Sequence, residues 1–76
     1  MDIKTKHISN ASGRGQVKAT GAGRQRTVSW DHSKSNDWNH GNAAGTLALV
    51  LGLRWSDDII HSGGSERGHI FRFPLS

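Results

Sequence analysis

The fold is decided by residues 36–55, Asn36-Asp-Trp-Asn-His-Gly-Asn-Ala-Ala-Gly-Thr-Leu-Ala-Leu-Val-Leu-Gly-Leu-Arg-Trp55, because no other part of the 76-residue chain is apolar enough to found a core. Within this stretch, apolar side chains recur at spacings of three and four residues, which is the pattern of a helix buried along one broad face. They are Ala43, Ala44, Leu47, Ala48, Val50, Leu51 and Trp55. We therefore predict one main helix, with the rest of the chain packed against it.

The polar segment before this helix predicts where it begins. Residues 31–36, Asp-His-Ser-Lys-Ser-Asn, are side chains that compete for backbone hydrogen bonds, so Ser35 or Asn36 is the predicted N-cap. Asp37 follows in the first turn, where a carboxylate is favourable to the helix dipole.

Two short alternating runs ahead of the helix predict a β-hairpin. Residues 16–20 and 24–30 are separated by Gly21-Ala-Gly23, a glycine-containing turn. Because side chains alternate along a strand, one face should contact the core and the other should be polar. The core face would hold Val17, Ala19, Val28 and Trp30, and the polar face would hold Gln16, Lys18, Thr20, Gln25, Thr27 and Ser29.

A strand is predicted near each end of the chain. Residues 2–9 mix β-branched and polar residues in the manner of an edge strand, whose lysines would protect the edge. Residues 69–75 alternate, with Phe71, Phe73 and Leu75 on one face, and form the predicted closing strand.

A second, short helix is predicted over residues 56–63, which combine a serine cap, two acids in the first turn and a glycine at the end. The fold class that follows is α+β, in a single domain over residues 1–76. We expect a small antiparallel sheet of order β-β-β-α-β with the one main helix packed on one face.

Composition excludes several classes of site. The chain contains no cysteine, so neither disulfides nor thiolate metal sites are available to it. The N-terminus lacks the apolar run of a signal peptide, and the longest apolar stretch, residues 43–53, is shorter than the about 20 residues that a bilayer requires. We expect a soluble, cytoplasmic protein without a cofactor.

Positive charge is concentrated in the first half of the chain. Residues 1–36 contain seven lysines and arginines against two acidic residues, whereas residues 37–76 contain three against four. Such asymmetry favours an anionic partner, either nucleic acid or an acidic protein surface. A solvated basic face without such a partner is the alternative.

Four basic residues in and before the hairpin are the candidate nucleic-acid contacts, because a basic hairpin tip can follow a phosphate backbone. They are Arg14, Lys18, Arg24 and Arg26. Arg24 and Arg26 are in phase with the core face but lie at the turn end, so we expect them to project past the rim of the core. No aromatic residue is interleaved with them, so recognition by base stacking is not indicated.

A protein interface is the other candidate. Trp38 lies off the main apolar stripe and is expected to be partly exposed, and exposed tryptophan is enriched at binding hot spots. Trp38 and His40 together mark one end of the helix as a candidate interface. The predicted partner-binding set is completed by Lys18, Arg24 and Arg26 from the hairpin.

One side of the helix is also a candidate for self-association. Gly41, Gly45 and Ala48 share this side and would let another chain approach the backbone closely. A homodimer through these residues is therefore a further hypothesis.

The polar cluster over residues 31–40 could in principle supply metal ligands. Asp37 and His40 are three residues apart on the helix, and Asp31 with His32 could approach them. No recognised metal spacing such as His-Glu-x-x-His is present, and helix and turn caps explain the same residues. We therefore predict caps, and no metal site.

The sequence offers no clear catalytic constellation. A nucleophile turn of the form Gly-x-Ser-x-Gly is absent. General acid–base work would need a pair of histidines, and the sequence does not say which histidines converge. The chain contains His7, His32, His40, His61 and His69. Surface histidines are the ordinary case, so we predict that the protein is not an enzyme.

The run Gly23-Arg-Gln-Arg-Thr-Val-Ser-Trp-Asp-His-Ser33, continued by Asn39-His-Gly-Asn-Ala-Ala-Gly-Thr-Leu-Ala-Leu49, resembles small uncharacterised proteins encoded by actinobacterial phages and their hosts. The resemblance covers about half of the chain, and it implies a short single-domain phage protein that acts by binding a host or phage macromolecule.

The sequence thus favours a non-enzymatic binding module that docks on a host macromolecule, most plausibly a protein. A basic nucleic-acid-binding protein that uses the hairpin over residues 14–26 is the alternative. A small metal- or histidine-dependent hydrolase at residues 31–40 is the second alternative.

Overall fold

The structure is a computed structural model that describes residues 1–9, 15–56, 58–65 and 68–74. The strands are β1 (Asp2–Ile8), β2 (Gln16–Gly21), β3 (Arg24–Ser29), β4 (Ile60–Ser65) and β5 (Gly68–Arg72), and the helix α1 is Asn36–Leu51. The predicted class is confirmed: the fold is α+β, with one main helix packed on an antiparallel sheet.

The five strands form one sheet of order β3-β2-β1-β5-β4. β1 therefore lies at the centre, and the prediction that residues 2–9 form an edge strand is wrong. The reason is a long-range pairing: β5 returns antiparallel beside β1, with Ile3 opposite Phe71. The β2–β3 hairpin has the predicted pairing of faces, with Val17 opposite Val28.

β4 replaces the second helix predicted over residues 56–63, so the order is β-β-β-α-β-β. Ser56, the predicted helix cap, begins only a turn. The Asp58 N–H donates to Ser56 Oγ at 3.3 Å, and the Ile59 N–H donates to Ser56 O at 3.3 Å. A helix of one or two turns would leave most of its terminal backbone groups unpaired, whereas extended residues can pair with β5.

α1 begins and ends at capping residues. Ser35 is extended, with φ −68° and ψ 164°, and its Oγ accepts the Trp38 N–H at 3.1 Å, as the prediction for the N-cap required. Gly52 ends the helix in the left-handed region, with φ 73°, a conformation that glycine adopts without strain.

The core lies between α1 and one face of the sheet. Its buried apolar residues are Ile3, Val17, Ala19, Ala43, Ala44, Leu47, Ala48, Phe71 and Phe73. The helical stripe predicted from the sequence supplies Ala43, Ala44, Leu47 and Ala48 to this set. Because several of these side chains are small, the helix backbone can lie close to the sheet.

The side of α1 that was predicted to mediate a homodimer is largely covered by the chain itself. Ala48 belongs to the core and is 2% exposed. The Trp55 ring lies beside Gly45, with its Cε3 atom 3.9 Å from the place a Cβ would occupy. Ala48 therefore cannot contact a second copy, and of the three residues only Gly41 has open space beside it.

Two leucines on α1 test this packing. Leu47 is fully buried, whereas Leu49 is 81% exposed. We expect Leu47→Ala to lower the free energy of unfolding by about 2–5 kcal/mol, because it removes buried methyl groups and leaves a cavity. Leu49→Ala, the matched control in the same helix, should change it by less than about 0.5 kcal/mol. Urea unfolding followed by circular dichroism measures both, and equal losses would contradict the packing.

Candidate functional site

The face of the sheet that points away from α1 is here called the open face. Residues that alternate with the core residues of each strand project from it. They include Lys4, Lys6, Lys18, Thr20, Ile60, Ile70 and Arg72. The one helix in the described part of the chain packs on the opposite face.

Three lysines gather on the open face. Lys6 lies directly opposite Lys18 in the β1–β2 pairing, and Lys4 is two residues away on the same face. Like charges directly opposite each other destabilise an antiparallel pair. Neither of the two ion pairs found among the described residues includes a lysine. The positive charges of these three lysines are therefore not offset by an ion pair with any carboxylate in the described part of the chain.

Apolar side chains lie beside these charges. Ile70, which is 38% exposed, lies opposite Lys4, and Ile60, which is 58% exposed, lies opposite Arg72. A depression of about 600 Å³ opens over the centre of this surface, and Lys4, Lys6, Lys18, Thr20 and Ile70 are among the residues that line it. This surface suits a partner that offers both acidic and apolar groups.

The residues predicted to bind a partner do not form one surface. Lys18 lies on the open face, whereas Trp38, which is 44% exposed as predicted, lies on α1 on the other side of the sheet. Arg24 and Arg26 are exposed and share the side of α1, because Arg26 is opposite the buried Ala19. Arg14 lies outside the described residues.

A histidine cluster occupies the covered face. Its members come from four elements: His7 from β1, His40 from α1, His61 from β4 and His69 from β5. Their rings are linked through Trp30: ring centroids are 4.2 Å apart for His7 and Trp30 and 6.1 Å apart for Trp30 and His40. The chain of contacts continues from His40 to His69 at 3.8 Å and from His69 to His61 at 4.8 Å.

His40 is fully buried, so it is not part of the surface predicted from the sequence. Its Nδ1 forms a 2.7 Å hydrogen bond with Thr5 Oγ1, and its Nε2 has no partner among the described residues. Burial, reinforced by the neighbouring His69, lowers the pKa of His40 from 6.5 to about 4. The ring is therefore neutral at pH 7.

His69 is equally buried, at 1% exposure. Its Nε2 lies 3.2 Å from Asn36 Nδ2, and its Nδ1 lies 2.5 Å from His61 Nε2. When the Asn36 amide donates a hydrogen bond to Nε2, the neutral His69 ring carries its proton on Nδ1. The Nδ1–H then donates a hydrogen bond to His61 Nε2. Burial lowers the pKa of His69, and His61 acts in the same direction, while Asp37 opposes them.

Asp37 joins this cluster from the first turn of α1. Its Oδ1 lies 3.9 Å from His69 Nδ1, and its side chain is 73% exposed. One donor atom each of Asp37, His61 and His69 lies within 4.8 Å of the other two. The sequence had grouped Asp37 with His40 as possible ligands, but the structure places His61 and His69 beside it instead.

Asp31 is a capping residue, as predicted, and does not join this group. Its Oδ1 accepts the Ser33 N–H at 2.9 Å and the Ser33 hydroxyl at 2.6 Å. These hydrogen bonds lower the pKa of Asp31, because they favour the carboxylate. The Asn39 amide ties the same turn to α1, since its Nδ2 donates to Asp31 O at 3.0 Å.

A groove beside the cluster makes it accessible from solvent. It has a volume of about 630 Å³ and is lined by Asp37, Trp38, Trp55, Ile59, His61 and Phe71 among others. The His61 ring stacks on Phe71, with centroids 4.3 Å apart and planes 8° apart. The exposed side chains of Asp37 and His61 can therefore meet a ligand that enters the groove.

The sequence patterns did not reveal the roles of His61 and His69. The signal for His69 was present, because it is in phase with Phe71 and so belongs to the core face of β5. His61 was missed because it lies in the segment 56–63 that was wrongly predicted to be a helix, so its side chain was not assigned to a face of the sheet.

No protein-family model, curated protein or solved structure matches this chain. The resemblance to phage proteins therefore stays a prediction. Across the described residues, no helix has the length and apolarity needed to cross a bilayer.

The buried histidines predict a pH dependence of stability. Because the pKa of His40 is lower in the folded protein than in the unfolded chain, the unfolded chain takes up the proton first as the pH falls. The stabilisation is fully present above pH 6.5 and is lost as the pH falls toward 4. Between pH 7 and pH 5, His40 should account for a loss on the order of 2 kcal/mol, and His69 should act in the same direction.

Urea unfolding at pH 7 and pH 5 measures this loss. The free energy of unfolding of His40→Gln should differ less between pH 7 and pH 5 than that of the wild type, whatever the stability of the variant at pH 7. An unchanged pH dependence in that variant would show that His40 is not a buried neutral ring.

Proposed function

We propose that this protein is a non-enzymatic binding module that docks on an acidic surface of a partner protein through its open face. The observation that carries the proposal is the direct opposition of Lys6 and Lys18 on adjacent strands. This arrangement costs stability in the isolated chain, and an anionic partner removes that cost when it binds. The partner we propose is a protein of a bacterial host, which follows from the resemblance to small phage proteins predicted from the sequence alone.

The apolar neighbours of the lysines favour a protein over a nucleic acid. Ile70 lies opposite Lys4 near the middle of the face, and Ile60 adds apolar surface at β4. Contacts to a phosphate backbone need positive charge and hydrogen-bond donors but no apolar surface. A protein partner, in contrast, can cover the isoleucines while its carboxylates approach the lysines.

Nucleic-acid binding is the second candidate, and the uncompensated lysines favour it. Phe and Trp, which could stack on bases, do not appear on the open face among the described residues, so this candidate would rest on backbone contacts. Such binding falls steeply as the salt concentration rises.

Lys6→Glu tests the proposal because it should raise the free energy of unfolding but weaken binding to the partner. The substitution places Glu opposite Lys18, so the free energy of unfolding should rise by about 0.2–1 kcal/mol. Binding to the partner should weaken by about tenfold, or about 1.4 kcal/mol, because a favourable charge becomes a repulsive one. Arg26→Glu is the matched control: it changes the net charge equally but lies on the side of α1.

The measurement starts with affinity capture from nuclease-treated host lysate, followed by calorimetric titration of the captured protein with each variant. Ile70→Ser should also weaken binding, whereas Arg26→Glu should leave it within about twofold, a change of less than about 0.5 kcal/mol. If nuclease removes all bound material and Arg26→Glu abolishes binding, the hairpin binds nucleic acid and the proposal fails. Equal weakening by Lys6→Glu and Arg26→Glu would contradict a role for the open face.

A further inference from the structure

We propose that Asp37, His61 and His69 form a binding site for one divalent transition-metal ion of the Zn²⁺ class. The site lies on the covered side of the sheet, at the start of α1, and it is separate from the open face that the proposed function uses. Nothing in the sequence spacing predicted it, because its ligands come from α1, β4 and β5.

The donor atoms suit this ion. Two imidazole nitrogens and one carboxylate oxygen are ligands that Zn²⁺ and its neighbours in the first transition row bind well. Three protein ligands leave a fourth position of a tetrahedral site open. Asp37 and His61 also line the groove, so water or a small ligand can reach that position from the groove.

The distances are close to those that a metal requires. Ligand atoms about 2.05 Å from a tetrahedral ion are about 3.3 Å apart. The His61 Nε2 to His69 Nδ1 distance of 2.5 Å must therefore lengthen, and the Asp37 Oδ1 to His69 Nδ1 distance of 3.9 Å must shorten. The exposed side chains of Asp37 and His61 can make these adjustments by rotating, while His69 stays fixed by packing.

His69 is held as a metal ligand usually is. His40 stacks on its ring at 3.8 Å, and His40 is in turn held by Thr5 through a 2.7 Å hydrogen bond. When Nδ1 of His69 binds a metal, its Nε2 carries the proton, and the Asn36 amide, once rotated, can accept a hydrogen bond from this N–H through its oxygen. A hydrogen bond from the second ring nitrogen to an oxygen is the usual support of a metal-binding histidine.

Helix capping does not account for Asp37. Ser35 is the N-cap, and its Oγ accepts the Trp38 N–H. In the described part of the chain, the Asp37 carboxylate accepts no hydrogen bond; its one polar contact is with His69. Its position beside two imidazoles is what a metal ligand requires.

Isothermal titration of the metal-free protein with ZnCl₂ tests the site. The wild type should bind one ion per chain, and its unfolding temperature should rise with the Zn²⁺ concentration, because the ion binds the folded form. His61→Ala and Asp37→Asn, which alter exposed side chains, should each weaken binding at least tenfold and reduce this rise. Substitution of the buried His69 is avoided because it can unfold the protein.

Two controls separate this site from general binding to surface histidines and carboxylates. His32→Ala and Asp58→Asn remove exposed groups outside the cluster and should leave Zn²⁺ binding unchanged. With Co²⁺ in place of Zn²⁺, the wild type should show the visible absorption of a four-coordinate ion, and His61→Ala should lose it. The proposal is overturned if the wild type does not bind Zn²⁺ saturably, if His61→Ala and Asp37→Asn bind as the wild type does, or if the controls weaken binding equally.

Discussion

Two imidazole rings, those of His40 and His69, are buried and stacked on the covered face of the sheet, and both the sheet and α1 must accommodate them. A small domain has little apolar surface to bury, and much of the core offered by α1 is alanine. The two stacked rings extend this core toward the start of the helix. They can do so because Thr5 and Asn36 supply hydrogen bonds, and because burial keeps the rings uncharged near neutral pH. The same arrangement brings His61 Nε2 and His69 Nδ1 together beside Asp37.

The sheet separates this cluster from the basic surface. Since side chains alternate along a strand, Thr5 faces the histidines while its neighbours Lys4 and Lys6 face the opposite side. A shift of one residue in β1 would place these lysines in the core, so the buried face fixes the register. The opposition of Lys6 and Lys18 is therefore retained by the packing on the other side of the sheet. The two faces can bind different partners because no described residue of one contributes its side chain to the other.

Local patterns predicted those features whose causes are local. The stripe of α1, its N-cap at Ser35 and the faces of the β2–β3 hairpin follow from spacing, capping chemistry and alternation. The central position of β1 depends on pairing with β5, which lies more than fifty residues away in the chain. β4, in contrast, pairs with β5 across a short connection. Because the site is assembled by those same pairings, the sequence could not bring His61 and His69 beside Asp37. The serine and acidic residues after Trp55 led instead to the wrong prediction of a helix over residues 56–63.

The buried ring of His40 should be neutral in the folded, metal-free protein, and nuclear magnetic resonance measures its protonation directly. Long-range correlations between ring protons and ring nitrogens report how many nitrogens of each imidazole carry a proton. At pH 6, where much of a free imidazole population is still protonated, we expect one protonated nitrogen in the His40 ring, because burial lowers its pKa to about 4. Two protonated nitrogens in His40 of the folded protein at that pH would contradict it, because a charged ring could not occupy the buried position that the fold assigns to it.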